Sequence, residues 1–282
     1  MGLGSLVENA LKSGASLKKL IKEDYAVVED IPYLVKDSWV RSSGFPMLCP
    51  REEVLCSTHK VERTWEINAD LNLIFQHGHG LHHQLQNEIL PSVGVLRGKW
   101  VCQGCGAMHG GPVDPKARVE TWAEPKPEGC PDCSGKEFLF HEVKMFNEDH
   151  RVSGHCDGFL ELDGVPGMGI VEGKSIGQGW QVQNVPKLDH VIQLQTYLWL
   201  ADLQWGIILY WQKGVNGVGA LIEHFVERDE DTIDNIKATL KSIWNGVETG
   251  ELPDKVCETS TCKRAKSCAV RNQCFGITDE SE

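Results

Sequence analysis

The stretch at 154–175, "GHCDGFLELDGVPGMGIVEGKS", alternates apolar and polar residues on either side of the turn cluster "DGVPG". Period-two alternation interrupted by Gly and Pro predicts a β-hairpin. With the turn centred between Gly164 and Val165, Asp157 and Glu172 fall opposite each other on the two strands. Directly opposed side chains lie about 5 Å apart at Cβ, so the two carboxylates repel unless a cation sits between them. Lys174, two residues beyond Glu172, shares its strand face. Two other segments carry a helical period. "FQHGHGLHHQLQNEIL" (75–90) places Leu81, Leu85 and Ile89 on one face with His82 beside them. "HVIQLQTYLWLADLQWGIILYW" (190–211) begins as a helix on which Gln193 and Tyr197, four apart, share a face, and its many apolar residues read as core.

Composition narrows the class. The 282 residues are 41% hydrophobic and 24% charged, the balance of an ordinary soluble protein with room for an enzyme-sized core. No run approaches the roughly 18 apolar residues of a membrane span. The first thirty residues, "MGLGSLVENALKSGASLKKLIKEDYAVVED", lack a secretory signal, and Leu6 stands where a myristoylation motif wants Ser or Thr. The expected location is cytoplasmic, away from membranes. A net charge of −12 excludes a surface coated uniformly by nucleic acid, so any contact with DNA would pass through a local patch. Lys255, Lys263, Arg264, Lys266 and Arg271 crowd one segment, which reads either as such a patch or as a solvated face.

Eleven cysteines in a reducing compartment point to metal before disulfides. Cys102, Cys105, Cys130 and Cys133 form two CxxC knuckles, "CQGC" and "CPDC", around a segment rich in Gly, Pro and charge. Four thiolates so spaced suit tetrahedral Zn²⁺, which stabilises a stretch with too few apolar residues to form its own core. A second set, "CETSTCKRAKSCAVRNQC", holds Cys257, Cys262, Cys268 and Cys274. Its irregular gaps suit neither a zinc finger nor a haem site and are compatible with an iron–sulfur cluster, a second zinc site or free thiols. Cys49 and Cys56 are further candidate ligands upstream, and Cys156 remains over. At the hairpin, two hard oxygen ligands and an adjacent amine make a site where a divalent metal activates water and the lysine steadies developing negative charge. An exposed hairpin with a cross-strand charge pattern is the plain alternative.

In order, the chain carries Gly78-x-x-x-His82, Gly154-x-x-Asp157, Glu172-x-Lys174 and Gln193-x-x-x-Tyr197. This set resembles the RecB-like branch of the PD-(D/E)xK nuclease superfamily over about residues 42–275. "CPRE" at 49–52 and "CAVRNQC" resemble the flanking cysteine segments of its iron–sulfur members, the CRISPR-associated adaptation exonucleases and phage recombination exonucleases. The resemblance implies an α/β fold, a restriction-endonuclease-like mixed central sheet flanked by helices. It implies Mg²⁺ or Mn²⁺ held by His82, Asp157, Glu172 and the carbonyl of Gly173, with Lys174 positioning or activating water. Gln193 and Tyr197 would brace the site or contact the DNA backbone, and Glu142 would help bind a second ion. A [4Fe–4S] cluster would be held by Cys49, Cys262, Cys268 and Cys274, with Cys257 as the alternative to Cys262. The family pattern needs three C-terminal cysteines where this chain has four, in looser spacing.

The expected organisation is an N-terminal helical region (1–41), the start of a nuclease domain with the His helix (42–97), a zinc-ribbon insertion (98–138), the nuclease core (139–250), the C-terminal cysteine segment (251–276) and an acidic tail (277–282). The function implied is a metal-dependent DNA exonuclease in recombination, repair or processing of DNA ends, with DNA and a recombination or CRISPR-type protein as partners. The rival readings are a noncatalytic zinc and iron–sulfur module that binds DNA or supports assembly, and an iron–sulfur base-excision glycosylase. The second of these lacks a helix-hairpin-helix signature.

Overall fold

The structure, a computed structural model, describes residues 22, 25–110, 124–177, 182, 184–214 and 220–277. The fold is mixed α/β. Strands β1 (Val27–Ile31) and β2 (Val40–Arg41) precede helix α1 (Pro50–His59), followed by β3 (Arg63–Ile67) and helix α2 (Ala69–Gln84). Asn68 caps α2 by accepting the N–H of Leu71, and the helix runs on into a π-helical turn at Leu85–Ile89. Then come β4 (Leu96–Arg97), β5 (Lys99–Cys102), β6 (Met108–His109), β7 (Phe138–His141), β8 (Val143–Asn147), β9 (Val152–Cys156), β10 (Gly158–Leu160) and β11 (Gly169–Ile176). Helix α3 (Leu188–Ala201), β12 (Trp205–Gln212), β13 (Ala220–Glu227) and helices α4 (Glu230–Thr249), α5 (Lys263–Lys266) and α6 (Arg271–Phe275) complete it. No helix among the described residues is long and apolar enough to cross a membrane.

The central sheet has the order β13-β12-β11-β10-β4 and is mixed: β11 and β12 are parallel and the other neighbours antiparallel. The parallel pair needs a crossover, and α3 supplies it. Phe159, Ile170, Ile208 and Tyr210 from the sheet pack with Leu194, Tyr197 and Leu198 of α3 into the main core. The outer side of α3 meets α4, where Ile236, Leu240 and Trp244 pack with Val40 and Val152. Instead of one sheet carrying every strand, separate sheets surround this centre: β2-β9-β8, β6-β5-β7 and β1-β3.

Strand β10 pairs with β11 in the register Gly158↔Val171 and Phe159↔Ile170, which is the register set by a turn between Gly164 and Val165. Gly164 and Gly167 in the connection have φ of +80° and +71°, a region that L side chains seldom occupy. Asp157 stands one residue outside that ladder, at the bend where the chain leaves the β8–β9 pair and enters the central sheet. Of the N-terminal region expected to be helical, Lys22 is helical and residues 25–41 carry β1 and β2. The β-branched Val27, Val28 and Ile31 favour extended backbone, and β1 pairs along its full length with β3. Residues 1–21 and 23–24, the middle of the ribbon (111–123) and the last five residues of the acidic tail lie outside the described residues.

Leu198 is fully buried in the main core against the sheet, while Leu188 at the start of the same helix is 70% exposed. Leu198→Ala is expected to cost about 2–5 kcal/mol and Leu188→Ala less than about 0.5 kcal/mol, read from chemical denaturation curves. Equal losses would contradict the packing described.

Candidate active site and metal centres

The site forms where β11 passes between α2 and α3. Glu172 and Lys174 alternate onto the α3 side of the strand, with Ile170 and Ile176 of the main core. Gly173 and Ser175 face α2. A Cβ added at Gly173 would lie 3.1 Å from Leu85 Cδ1 and 3.4 Å from Asp157 Oδ2, and one at Gly78 would lie 3.9 Å from Ser175 Oγ. Glycine at 173 therefore lets the helix and the Asp157 carboxylate approach the strand backbone together.

Asp157 is held from two sides. Its Oδ2 accepts the N–H of Gly173 at 2.7 Å, and its Oδ1 lies 3.0 Å from His82 Nδ1. Glu172, 2% exposed, pairs through Oε1 with Lys174 Nζ at 2.6 Å. The same ammonium donates to Gln193 Oε1 at 3.1 Å, and Gln193 Nε2 donates to the Tyr197 hydroxyl at 2.9 Å. Close packing holds this chain of contacts in place: any side chain at Gly154 would collide with Ser42 and Tyr197. These contacts form two groups, His82–Asp157–Gly173 towards α2 and Glu172–Lys174–Gln193–Tyr197 towards α3, which adjoin at the Glu172–Gly173 peptide of β11.

His82, Glu142 and Asp157 can each offer one ligand atom within 4.8 Å of the other two, a spacing that suits a divalent ion. Glu172 stands outside this triple, because strand alternation turns it towards α3 and Lys174 neutralises it there. Glu142 takes a larger part than the sequence alone assigned it. Gln86, which the sequence reading did not single out, donates to Glu142 Oε1 at 3.2 Å and to the backbone oxygen of Asp157 at 3.1 Å. The legible signal was its place four residues after His82 on one helix; the π-helical turn that carries it was not legible. Such turns are frequent at functional sites.

Burial and the Asp157 charge push Glu172 up to about 7, although Lys174 and His82 pull the other way. For His82, burial favours the neutral ring, but the Asp157 contact and the charges of Asp157 and Glu172 outweigh it, so its pKa rises. Burial likewise opposes the Lys174 ammonium, and the paired Glu172 prevails, so the amine stays protonated above its ordinary range. Tyr197 is raised by burial and the Glu172 charge, which keeps it a neutral phenol.

The two cysteine sets differ in geometry. Cys102 Sγ lies 3.5 Å from Cys133 Sγ and Cys105 Sγ 3.6 Å from Cys130 Sγ, and all four sulfurs fall within 4.8 Å of one another. Metal–sulfur bonds of about 2.3 Å in a tetrahedron separate the sulfurs by about 3.8 Å, so this donor set fits one zinc ion. The ion would add to a small core of Leu96, Trp100 and Phe138. In the second set, Cys49, Cys257, Cys268 and Cys274 line a common pocket. Thiols arranged round a volume, instead of converging on a point, fit a polynuclear cluster better than a single ion. Cys262 does not line this cavity; its sulfur accepts the N–H of Ala265 as the N-cap of α5. Cys56 is buried in a small cluster with Val270, against which Cys268 and Cys274 pack, and burial pushes its thiol up to about 12. Cys156 is fully buried, with its thiol well above the ordinary range for the same reason. Within the basic segment, Arg264 donates to the backbone oxygen of Met47 and Lys255 lies 4.9 Å from the Phe275 ring centroid, so both help hold the chain ends.

No protein-family model matches the sequence, and no curated protein matches it. Several solved structures match the fold. SSO0001 is 14% identical over 98% of both chains, with a TM-score of 0.39. An alkaline exonuclease (LHK-Exo) from Laribacter hongkongensis is 13% identical over 75% of this chain and 89% of its own, with a TM-score of 0.41. A phage-related exonuclease from Haemophilus somnus 129PT is 19% identical over 37% of this chain and 57% of its own, with a TM-score of 0.26. At these identities and scores the likenesses carry no assignment of chemistry.

Glu172 titrates near 7 in the fold against an ordinary 4.5, so the folded state holds this proton more tightly than the unfolded chain. Its contribution to stability is complete below about 4.5 and is lost as pH rises through about 7, and the raised His82 acts in the same direction. A divalent ion replaces those protons. The rise in melting temperature on adding Mn²⁺ to protein dialysed into Mg- and Mn-free buffer is therefore expected to be larger at pH 8 than at pH 6, and to vanish in Asp157→Asn. A rise independent of pH would place the ion elsewhere.

Proposed function

We propose that this protein is a Mg²⁺- or Mn²⁺-dependent deoxyribonuclease that hydrolyses phosphodiester bonds at DNA ends, in recombination, repair or end processing. The observation that carries the reading is that β11 gathers Asp157 and His82 at the Gly173 N–H on one face and the Glu172–Lys174 pair with Gln193 on the other. A surface charge pattern would not bury Glu172 to 2% exposure or tie Lys174 into a helix by hydrogen bonds. This observation favours an enzyme over an inert binding module.

His82, Asp157 and Glu142, the last steadied by Gln86, would hold the ion, and Glu172 with the Gly173 carbonyl would join them as the ion draws Glu172 from its pairing with Lys174. When bound, the divalent ion polarises the phosphate and acidifies water. Lys174, held as an ammonium beside Glu172, would position or activate the attacking water and stabilise negative charge growing on the phosphate. Gln193, anchored on Tyr197, fixes the direction of Lys174 Nζ. Cys102, Cys105, Cys130 and Cys133 would hold Zn²⁺. Cys49, Cys257, Cys268 and Cys274 would hold a [4Fe–4S] cluster that ties the segment after residue 42 to the chain's last helices. Arg51, which donates to the backbone oxygen of Pro253 at 2.7 Å, braces the same junction.

With Mn²⁺ or Mg²⁺ the purified protein should degrade end-labelled DNA. Asp157→Ala and Lys174→Ala should each slow cleavage by at least about 10²-fold with the melting profile retained. Cutting at the parental rate by Lys174→Ala would exclude the assigned mechanism, and tight DNA binding without cleavage would favour the noncatalytic module. Elemental analysis and the visible absorbance of anaerobically purified protein check the cysteine sets. Cys257→Ala should lose iron and colour, Cys262→Ala should keep both, and the reverse result would assign the ligand to Cys262.

A further inference from the structure

Tyr210 stands directly beside Lys174 in the parallel register of β11 and β12 and is fully buried. Its hydroxyl oxygen accepts the backbone N–H of Lys187 at 3.0 Å and lies 2.8 Å from His190 Nδ1. A phenol has one proton to give. With the Lys187 N–H as one donor to the oxygen, a phenol that gives its proton to Nδ1 leaves the ring's own proton on Nε2. Burial, with the charges of Lys174 and Lys187, holds His190 down at about 4, consistent with a neutral ring.

His190 is one helical turn before Gln193 on α3, so it belongs to the helix face that supports Lys174. It is only partly buried, unlike Gln193 and Tyr197. Lys187 and Lys174, the latter already paired with Glu172, oppose a further positive charge on the ring. A neutral N–H donor adds a hydrogen bond to an anionic oxygen without that repulsion.

We propose that His190 donates from Nε2 to a non-bridging phosphate oxygen of the bound DNA, and that Tyr210 is a positioning residue that fixes the His190 tautomer. This rests on the nuclease reading above. The plain alternative is that His190 only ties the first turn of α3 to β12 through Nδ1.

The two roles separate by substitution. Glutamine can place an amide N–H near the position of Nε2, whereas asparagine reaches only as far as Nδ1. A fluorescent single-stranded oligodeoxynucleotide in Ca²⁺ serves as the binding probe, read by anisotropy, and KM and kcat are measured separately with Mn²⁺. His190→Ala and His190→Asn are expected to weaken binding and raise KM by about tenfold, and His190→Gln to recover most of the loss. Nitrogen-15 spectra of histidine-labelled protein, assigned by difference with His190→Gln, should show the Nε2–H tautomer at His190 and its loss in Tyr210→Phe. Parental KM and affinity in His190→Ala, or recovery by Asn and not by Gln, overturns the phosphate contact. The Nδ1–H form in the parent overturns the tautomer argument. If the parent itself neither binds nor cuts DNA with any metal, the nuclease reading fails, together with the phosphate contact that rests on it; failure of the His190 variants alone leaves that reading standing.

Discussion

Two carboxylates, Asp157 and Glu172, are drawn into the fold beside one strand, and their mutual repulsion is the constraint to which the neighbouring structure answers. An uncompensated charge in such a place costs several kcal/mol. Each is therefore met by a partner from a different element. Asp157 has the Gly173 N–H and His82, while Glu172 has Lys174. Lys174 needs an acceptor of its own, which α3 provides through Gln193 and, behind it, Tyr197. The glycines follow from the same demand: Gly173 admits the Asp157 carboxylate to the strand backbone, and Gly154 makes room for Tyr197.

Compensation of this kind is incomplete without an added cation, which is why Glu172 is pushed up to about 7 even with an ammonium at 2.6 Å. The balance is one that a divalent ion would tip and that a phosphate could then approach. It also explains why the site lies at a joint between sheets. Asp157 is at the bend where the chain passes from β9 to β10, so its side chain is released from the regular alternation of either strand and can turn towards α2.

The cysteine sets lie at the margins, where burial is least able to hold the chain. The ribbon strands share a small core around Trp100, and the helices α5 and α6 are too short to be stable alone. Cross-linking through metal would supply order there without a large apolar interior. The difference between four converging sulfurs and four spread round a cavity is a difference in what each can hold.

Local periodicity alone determined the hairpin register, since alternation about "DGVPG" admits one pairing that keeps both apolar faces inside, and it placed Glu172 and Lys174 on one face. It likewise marked α2 and α3, with Gln193 and Tyr197 on a shared stripe, and the paired CxxC spacing of the ribbon. Only the tertiary structure decided which groups meet across elements. The π-helical turn that carries Gln86 to Glu142, the strands in residues 25–41 and the division into separate sheets depend on packing between segments far apart in the chain. The physical reason is one of range. Alternation and helical period are set by bonds within a few residues, whereas burial, desolvation and the partner that neutralises a charge exist only once distant segments have closed around it.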